Sequence, residues 1–318
     1  MSFPTLIAPK PQVLQNLETL LSQAAAFKRN PTRRSAIGKG KTLGLVFLNP
    51  SLRTRLSTQK AALNLGMQVL DFDATKGWGW ETEIATVMNG HKAEHLKEAV
   101  GVLSSYCDVL GLRSFASLQD QVADYEDRFF HQFEQYSSAP VLNLESAIRH
   151  PLQGLTDLMT IREHQTHAKP KVVLSWAPHP KALPQAVPNS FAETMLAGGV
   201  DLHICQPKGF ELDPIFTEGA TIHYVQNEAF EGADFIYAKN WSALQPYGKG
   251  SNQHNDWIIT SLKMALTSQA HFMHCLPVRR NVVVTDAVMD SSKSLVIPQA
   301  ANREFIAQSV LYQTLQNQ

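Results

Sequence analysis

The stretch TLGLVFLNPSLRTR, residues 42–55, sets the fold expected of this chain. Residues 42–48 are a short apolar run that predicts a buried strand, and the Asn49-Pro50 pair interrupts it. Residues 53–65 then have the apolar spacing of a helix. A buried strand that leads directly into a helix begins a parallel β–α–β unit. The stretch therefore predicts an α/β fold built on parallel sheets.

The same alternation of apolar runs and helical patterns continues on both sides of this stretch. Strands are predicted at 42–48, 67–72, 109–112, 141–144, 171–176, 202–205, 221–225, 235–238 and 271–274, and further helices at 95–106, 152–164 and 300–315. Residues 176–188 contain four prolines and are predicted to be a loop. A chain of 318 residues has room for two domains. We expect two doubly wound parallel-sheet domains with a cleft between them.

Composition excludes several classes of protein. The chain has 28 basic and 28 acidic residues, so its formal net charge of zero argues against general nucleic-acid binding. Its three cysteines, Cys107, Cys205 and Cys275, are widely spaced, which disfavours a disulfide framework or a structural zinc site. Residues 1–10 lack a signal-peptide pattern, and no apolar run approaches the roughly 20 residues that span a bilayer. A cytoplasmic protein with reduced thiols and no membrane partner is expected.

The residues Ser51-Leu52-Arg53-Thr54-Arg55 lie where the predicted strand gives way to the helix. A helix N-terminus offers unpaired N–H groups and a partial positive charge, and so it binds phosphate well. Two hydroxyl groups and two guanidinium groups strengthen that interpretation. The pattern matches neither the Walker loop nor the dinucleotide fingerprint. Taken alone, it fits a capped helix with exposed arginines equally well.

Five polar or reactive residues follow the ends of predicted strands. They are Arg113, Glu145, His179, Lys239 and Cys275. Ligands of open α/β sheets bind beyond the carboxyl ends of the strands. Five such placements, in two predicted sheets, favour a ligand site in the cleft.

Two further motifs are candidates for chemistry. In His150-Pro151-Leu152-Gln153 the first and last side chains share one face of a helix start and can reach the same small planar group. The alternative is an ordinary surface histidine and glutamine. His274-Cys275-Leu276-Pro277 ends a predicted strand, and the alternative there is a cysteine that packs as a small hydrophobic residue.

These three motifs, in this order and spacing, resemble the aspartate/ornithine carbamoyltransferases over nearly the whole chain. Residues 176–180, 191–193, 237–241 and 272–281 resemble the branch of that family that acts on N-acylated ornithine. The Ser-Met-Gly loop of the ordinary ornithine enzymes is not found. The resemblance implies transfer of a carbamoyl group from carbamoyl phosphate to the side-chain amine of an acylated ornithine, in arginine biosynthesis.

The resemblance also implies residue roles. Carbamoyl phosphate would contact Ser51, Leu52, Arg53, Thr54, Trp78, Arg113, His150 and Gln153. The acylornithine would contact Ala93, Glu145, His179, Lys239, Cys275, Leu276, Arg279 and Arg303. The catalytic set would be Arg53, Thr54, His150, Gln153 and Cys275, with Cys275 positioning the amine rather than forming a covalent bond. No metal ion or organic cofactor is implied.

The family fold implies further features of the architecture. Residues 1–150 would bind carbamoyl phosphate, residues 151–298 would bind the acylornithine, and residues 299–318 would return to the first domain as a helix. The proline-rich loop would be threaded, which makes the chain knotted. Trp78 would reach the site of a neighbouring subunit in a homotrimer.

The acyl group is predicted from Ala93. Acetyl-preferring members resemble residues 89–95 with a glutamate at this position, and succinyl-preferring members have a proline. A carboxylate there would repel the succinyl carboxylate, whereas a small neutral side chain leaves room. N2-Succinyl-L-ornithine is therefore the expected substrate. N2-Acetyl-L-ornithine is the alternative, followed by free ornithine or aspartate and by a non-enzymatic relative that only binds anions.

Overall fold

The computed structural model describes residues 10–74, 78–251 and 253–318, and it includes the side chains from Asn16 onward. Residues 1–9, where a signal peptide was not expected, lie outside this range. The chain divides into two compact units. The first comprises Met1–Ile148 with Arg303–Gln318, and the second comprises Arg149–Asn302.

The first unit is built on one parallel sheet. Its elements are α1 (Lys10–Arg29), β1 (Thr42–Phe47), α2 (Leu52–Asn64), β2 (Gln68–Asp73), β3 (Trp80–Glu81), β4 (Glu94–His95), α3 (Leu96–Tyr106), β5 (Val109–Arg113), α4 (Gln121–Tyr125), α5 (Arg128–Tyr136) and β6 (Val141–Glu145). The sheet order is β2-β1-β5-β6, with every pair parallel, and β3 and β4 form a separate short pair. Residues 43–47 of β1 are fully or almost fully buried, as an apolar central strand requires.

The second unit has a five-stranded parallel sheet. Its elements are α6 (Pro151–His164), β7 (Lys171–Trp176), α7 (Ala186–Ala197), β8 (Asp201–Cys205), α8 (Pro214–Thr217), β9 (Thr221–His223), α9 (Gln226–Phe230), β10 (Phe235–Lys239), a 3₁₀ turn at Asn255–Trp257, α10 (Ser261–Met264), β11 (His271–Met273) and α11 (Asp286–Met289). The last helix, α12 (Val296–Gln316), begins in this unit and ends in the first. The strands are ordered β11-β10-β7-β8-β9. The predicted α/β fold of parallel sheets is confirmed.

Most predicted bounds differ from the structure by one or two residues, and two elements differ by more. The predicted loop 176–188 is too long, because Trp176 completes β7 and α7 begins at Ala186. Pro188 lies in the first turn of α7, where a missing backbone donor breaks no helical hydrogen bond. The closing helix begins at Val296, four residues before the predicted start, and the helix α1 was not predicted.

The sheet orders place a ligand-binding edge in each unit. In the first sheet β1 lies between β2 and β5, so the chain winds away from it in both directions. In the second, β7 lies between β10 and β8 in the same way. Ligands of open parallel sheets bind at such switch points, beyond the carboxyl ends of the two strands. The residues that follow β1, β5, β7 and β10 are thus placed for binding.

The last helix supplies residues to both units. It begins in the second unit, and from Arg303 onward its residues belong to the first. There Glu304 accepts a hydrogen bond from the Asn64 side chain of α2 at 2.7 Å, and the Ser309 hydroxyl donates to the Leu20 carbonyl of α1 at 2.9 Å.

Within the described ranges, no helix combines the length and the apolar character needed to cross a membrane.

Candidate active site

The Ser51–Arg55 motif forms the N-terminus of α2, at the switch point of the first sheet. Ser51 is the residue before the helix, and its hydroxyl oxygen accepts the backbone N–H of Thr54 at 3.3 Å. This cap satisfies one of the N–H groups that open a helix. The Thr54 side chain is almost completely buried, whereas Leu52 is exposed. The geometry agrees with a phosphate-binding helix start.

Two guanidinium groups converge on the Thr54 hydroxyl. Arg113, the last residue of β5, directs Nη1 to Thr54 Oγ1 at 3.3 Å. Arg303 of α12 directs Nη2 to the same oxygen at 2.7 Å. Both arginines are more than nine-tenths buried. We refer to Thr54, Arg113 and Arg303 at the N-terminus of α2 as the anion-binding corner, because two guanidinium groups beside a helix N-terminus are suited to an anion.

Two residues that the resemblance gives to the acylornithine lie at this corner. Glu145, the last residue of β6, forms a buried ion pair with Arg113, and Arg303 contacts Thr54. Arg113 also lies 4.5 Å from the centre of the Phe115 ring. The arrangement holds the Arg113 side chain from several directions, so its guanidinium is fixed before any ligand arrives.

Replacing Glu145 with glutamine is expected to lower the free energy of unfolding by about 3 kcal/mol, because it leaves the Arg113 charge buried without its counter-ion. Urea denaturation followed by circular dichroism measures this loss. The matched control is Glu126→Gln, which removes an exposed carboxylate paired with Arg128 and is expected to leave the curve unchanged. Coincident curves for Glu145→Gln and the unmodified protein would contradict the buried pair.

The Arg55 guanidinium is paired with two aspartates of β2. Its guanidinium lies 3.3 Å from Asp71 and 3.5 Å from Asp73, at the end of β2, and 4.5 Å from the centre of the Phe47 ring. These contacts hold it against the neighbouring strand. Arg55 thus lies against the strand β2, and Arg53 is the arginine of the motif that the family resemblance gives to a bound phosphate.

The His150-Pro151-Leu152-Gln153 motif begins α6 and is held by α7. The backbone N–H of His150 donates to the Ser190 hydroxyl at 2.7 Å, and Arg149 forms a two-pronged ion pair with Glu193 at 3.1 and 2.9 Å. Gly154 permits the close approach of the helices, because a Cβ atom there would lie 2.4 Å from the Thr194 hydroxyl. The imidazole of His150 and the amide of Gln153 are both buried.

A buried polar network continues from this motif. Gln153 Nε2 donates to Asp157 Oδ1 at 2.6 Å, and Gln299 Nε2 donates to the same oxygen at 2.6 Å. The Gln299 carbonyl oxygen accepts the backbone N–H of His274 at 3.0 Å. Two motifs that are distant in sequence are thereby joined within the second unit.

The turn after β11 has an unusual backbone. Leu276 has a φ of 55°, in the left-handed region that non-glycine residues rarely adopt, and its N–H donates to His274 Nδ1 at 2.8 Å. Strained residues of this kind concentrate at ligand sites. Beside the turn, burial and the nearby Asp157 and Cys275 raise the pKa of the Tyr237 phenol well above its ordinary value. Tyr237 is therefore a neutral phenol at physiological pH.

Three basic side chains lie together at the carboxyl ends of β7, β10 and β11. His179 Nδ1 donates to the Lys181 carbonyl at 2.9 Å, and its Nε2 accepts from Arg279 Nε at 3.3 Å. Burial, and then the charges of Lys239 and Arg279, lower the pKa of His179 below its ordinary value of 6.5. His179 is therefore neutral at physiological pH and lies between two cations. This group, His179 with Lys239 and Arg279, is suited to binding carboxylates.

Trp78 and Ala93 lie on the segment that carries β3 and β4. The Trp78 ring is half exposed, and its Nε1 donates to Glu94 Oε1 at 2.6 Å. Ala93 is exposed, and its N–H donates to the Gly79 carbonyl at 3.0 Å. The structure does not place either residue at the anion-binding corner or at the basic group.

The predicted site residues thus fall into two sets. Ser51, Leu52, Arg53, Thr54, Arg113, Glu145 and Arg303 lie together in the first unit, and His150, Gln153, His179, Lys239, Cys275, Leu276 and Arg279 lie in the second. Sequence reasoning missed Asp157, Gln299 and Ser190. The four-residue spacing of Gln153 and Asp157 on a helix was the one available signal. Among residues 10–74, 78–251 and 253–318, no cluster of three or more histidine, cysteine or acidic side chains is arranged to hold a metal ion.

Two domain models of one protein family match most of the chain. The carbamoyl-phosphate-binding domain model of the aspartate/ornithine carbamoyltransferases matches residues 7–163, and the Asp/Orn-binding domain model matches residues 184–314. The chain is 51% identical over 303 residues to the N-succinylornithine carbamoyltransferase of Bacteroides thetaiotaomicron, covering 94% of this chain and 95% of that protein.

Relatives with lower sequence identity are named for a different acyl compound, N-acetylornithine. The N-acetylornithine carbamoyltransferase of Xanthomonas axonopodis pv. citri is 38% identical over 317 residues, covering 93% of this chain and 92% of that protein. A crystal structure of an N-acetyl-L-ornithine transcarbamylase variant, with one glutamate replaced by alanine, is complexed with carbamyl phosphate and N-succinyl-L-norvaline. It superposes with a TM-score of 0.90 at 35% identity and covers 98% of this chain and 99% of that one. On the fold and these matches together, the chain belongs to the aspartate/ornithine carbamoyltransferase family of enzymes.

Proposed function

We propose that this enzyme transfers the carbamoyl group of carbamoyl phosphate to the side-chain amine of N2-succinyl-L-ornithine, giving N-succinylcitrulline and phosphate, in arginine biosynthesis. The observation that carries the proposal is the convergence of Arg113 and Arg303 on Thr54 at the N-terminus of α2. Such a corner binds a dianionic phosphate and stabilises it further as it leaves. The matches to acylornithine carbamoyltransferases support the choice of the second substrate.

In the first unit, the phosphate would contact the α2 N-terminus. The N–H groups at Leu52 and Arg53, the hydroxyls of Ser51 and Thr54, and the guanidinium groups of Arg53 and Arg113 would donate hydrogen bonds to it. No covalent nucleophile of the enzyme is needed, because carbamoyl phosphate is a mixed anhydride whose phosphate is already a good leaving group when the amine attacks the carbonyl carbon. The departing phosphate can accept the proton that the amine loses.

In the second unit, His150 and Gln153 would bind the carbamoyl group. As the amine attacks the planar carbonyl carbon, negative charge develops on the carbonyl oxygen, and preorganised donors stabilise it. Arg53, Thr54 and His150 are assigned to that oxygen. The backbone carbonyls of Cys275 and Leu276 would orient the amine. The acceleration would come mainly from the proximity and orientation of two bound substrates.

The succinyl group is favoured by charge as well as by space. N-Succinylornithine carries two carboxylates and N-acetylornithine carries one. The group of His179, Lys239 and Arg279 offers an ammonium, a guanidinium and an imidazole side chain, which suits a substrate with more than one carboxylate. Ala93 brings no carboxylate to repel the succinyl end. The relative that is complexed with N-succinyl-L-norvaline likewise has one glutamate replaced by alanine.

The finer architecture is proposed on the same family resemblance. Residues 1–150 would form the carbamoyl-phosphate domain, residues 151–298 the acylornithine domain, and residues 299–318 the returning helix of a knotted chain. The exposed apolar side chains Ile84 and Val87, on the same segment as Trp78, support contact with a second copy in a homotrimer. Size-exclusion chromatography with light scattering is expected to give the mass of three chains, and the mass of one chain would contradict the trimer.

The test of the proposed function is a substrate panel. Purified enzyme and carbamoyl phosphate are mixed with N2-succinyl-L-ornithine, N2-acetyl-L-ornithine, L-ornithine or L-aspartate, and the carbamoylated product is quantified by mass spectrometry. The highest kcat/KM is expected with the succinyl compound. A preference for the acetyl compound would overturn the acyl assignment alone. Absence of a carbamoylated product from all four would overturn the activity.

A further inference from the structure

We propose that Asp157 is the positioning residue that orients the Gln153 amide and, through Gln299, holds the turn that contains Cys275 and Leu276. The inference rests on the proposed function, because it takes Gln153 to bind the carbamoyl group. None of the family motifs identified in the sequence includes Asp157. Its carboxyl group is fully buried on α6, one helical turn after Gln153.

Asp157 sets the direction of the Gln153 amide. A glutamine amide can be rotated so that its NH₂ and its carbonyl oxygen exchange places. A carboxylate only accepts hydrogen bonds, so the 2.6 Å contact with Asp157 Oδ1 requires the NH₂ to face it. The carbonyl oxygen is then turned away from Asp157. An acceptor fixed in this way matches the NH₂ donors of a carbamoyl group.

Asp157 sets the direction of the Gln299 amide in the same way. Its NH₂ donates to the same oxygen of Asp157 at 2.6 Å, so its carbonyl oxygen is directed to the backbone N–H of His274. Gln299 is almost completely buried on α12. The next two residues, Cys275 and Leu276, are those assigned to the substrate amine. A single carboxylate thus fixes a side chain on the carbamoyl side and a backbone turn on the amine side.

Position 157 requires a carboxylate, because only a group that accepts and never donates fixes both amides. Asparagine has nearly the same shape, but its amide both donates and accepts. It would permit either orientation of Gln153 and of Gln299, so the volume would be filled while the orientation would be lost. A purely structural role predicts a loss of stability without a selective change in catalysis. A positioning role predicts that kcat falls while the KM for the acylornithine is nearly unchanged.

The test is a double-mutant cycle in the intact enzyme with carbamoyl phosphate and N2-succinyl-L-ornithine. Asp157→Asn and Gln153→Ala are each expected to lower kcat by about 100-fold, the scale of a small misplacement of a catalytic group. The double variant is expected to lose only about tenfold beyond Gln153→Ala, far less than the product of the two single losses, because the share of Asp157 that acts through Gln153 is already gone and only its share through Gln299 is left to lose. Thr156→Ala is the control. It removes a buried hydroxyl of the same helix that donates to the Leu152 carbonyl, and its kcat is expected to be unchanged.

A second variant covers the possibility that Asp157→Asn does not fold, which circular dichroism reveals. Gln299→Met keeps Asp157 and cuts its link to His274, and it is expected to lower kcat at least about tenfold. Losses that multiply in the double variant, or an unchanged kcat in Gln299→Met, would overturn the role of Asp157 while the unmodified enzyme still turns over. If the unmodified enzyme forms no product, the proposed function fails, and the role of Asp157 fails with it.

Discussion

Replacing Arg53 with alanine is expected to lower kcat/KM by about 1,000-fold, or about 4 kcal/mol, the upper range for removing one preorganised donor to developing charge. Arg53 is the second residue of α2, and the next residue is Thr54, on whose buried hydroxyl Arg113 and Arg303 converge. Its loss removes a charge-assisted donor from the phosphate and from the carbonyl oxygen. Initial-rate kinetics with carbamoyl phosphate as the varied substrate measures the effect.

The matched control for this prediction lies two residues away. Arg55 belongs to the same motif, but its guanidinium is paired with Asp71 and Asp73. Arg55→Ala is expected to lower thermal stability and to leave kcat/KM within about threefold of the unmodified enzyme, because surface ion pairs act mainly on stability. Equal catalytic losses in the two variants would contradict the assignment of the phosphate to Arg53.

Replacing Ala93 with glutamate is expected to reverse the acyl preference. The new carboxylate would repel the succinyl carboxylate and lower kcat/KM for N2-succinyl-L-ornithine by about 100-fold or more, since juxtaposed like charges cost several kcal/mol. The uncharged acetyl group carries no such penalty, so turnover of N2-acetyl-L-ornithine should be retained or should rise. Competition between the two substrates in one reaction, read by mass spectrometry, gives the ratio directly.

The control for this change is the neutral Ala93→Gln variant, which has nearly the same size as glutamate. Because Ala93 is exposed, neither variant disturbs a packed core. We expect Ala93→Gln to retain most of the succinyl activity, since it adds bulk without charge. If glutamine and glutamate lowered the succinyl activity equally, the cause would be steric rather than electrostatic, and the charge argument would be wrong.

The elements of the two sheets could be predicted because their signals are local. Continuous apolar runs such as residues 42–47 become buried central strands, and Gly66 follows α2 with a φ of 85° that favours glycine. The start of α7 was missed because Pro188 suggests a loop, although proline is tolerated in a first helical turn. Helix boundaries depend on such capping geometry, which composition does not reveal.

The residues of the candidate site differ in the same way, because some have a local sequence signal and others do not. The motif residues Ser51, Thr54, His150 and Gln153 could be singled out because they stand at predicted helix starts, and their roles remain predictions from the family resemblance. The contact between Arg303 and Thr54 joins residues that are 249 positions apart, and no local pattern specifies such a pair. Asp157 was overlooked because an isolated aspartate in an apolar helix has no visible partner until the chain is folded.

Whether the N-terminus of α2 binds carbamoyl phosphate can be measured by isothermal titration calorimetry on freshly purified enzyme. We expect saturable binding to the unmodified protein and to Arg55→Ala, and no measurable binding to Arg53→Ala. If the unmodified protein shows no binding, or if Arg53→Ala binds as tightly as it does, the N-terminus of α2 is not the phosphate site and the central claim is wrong.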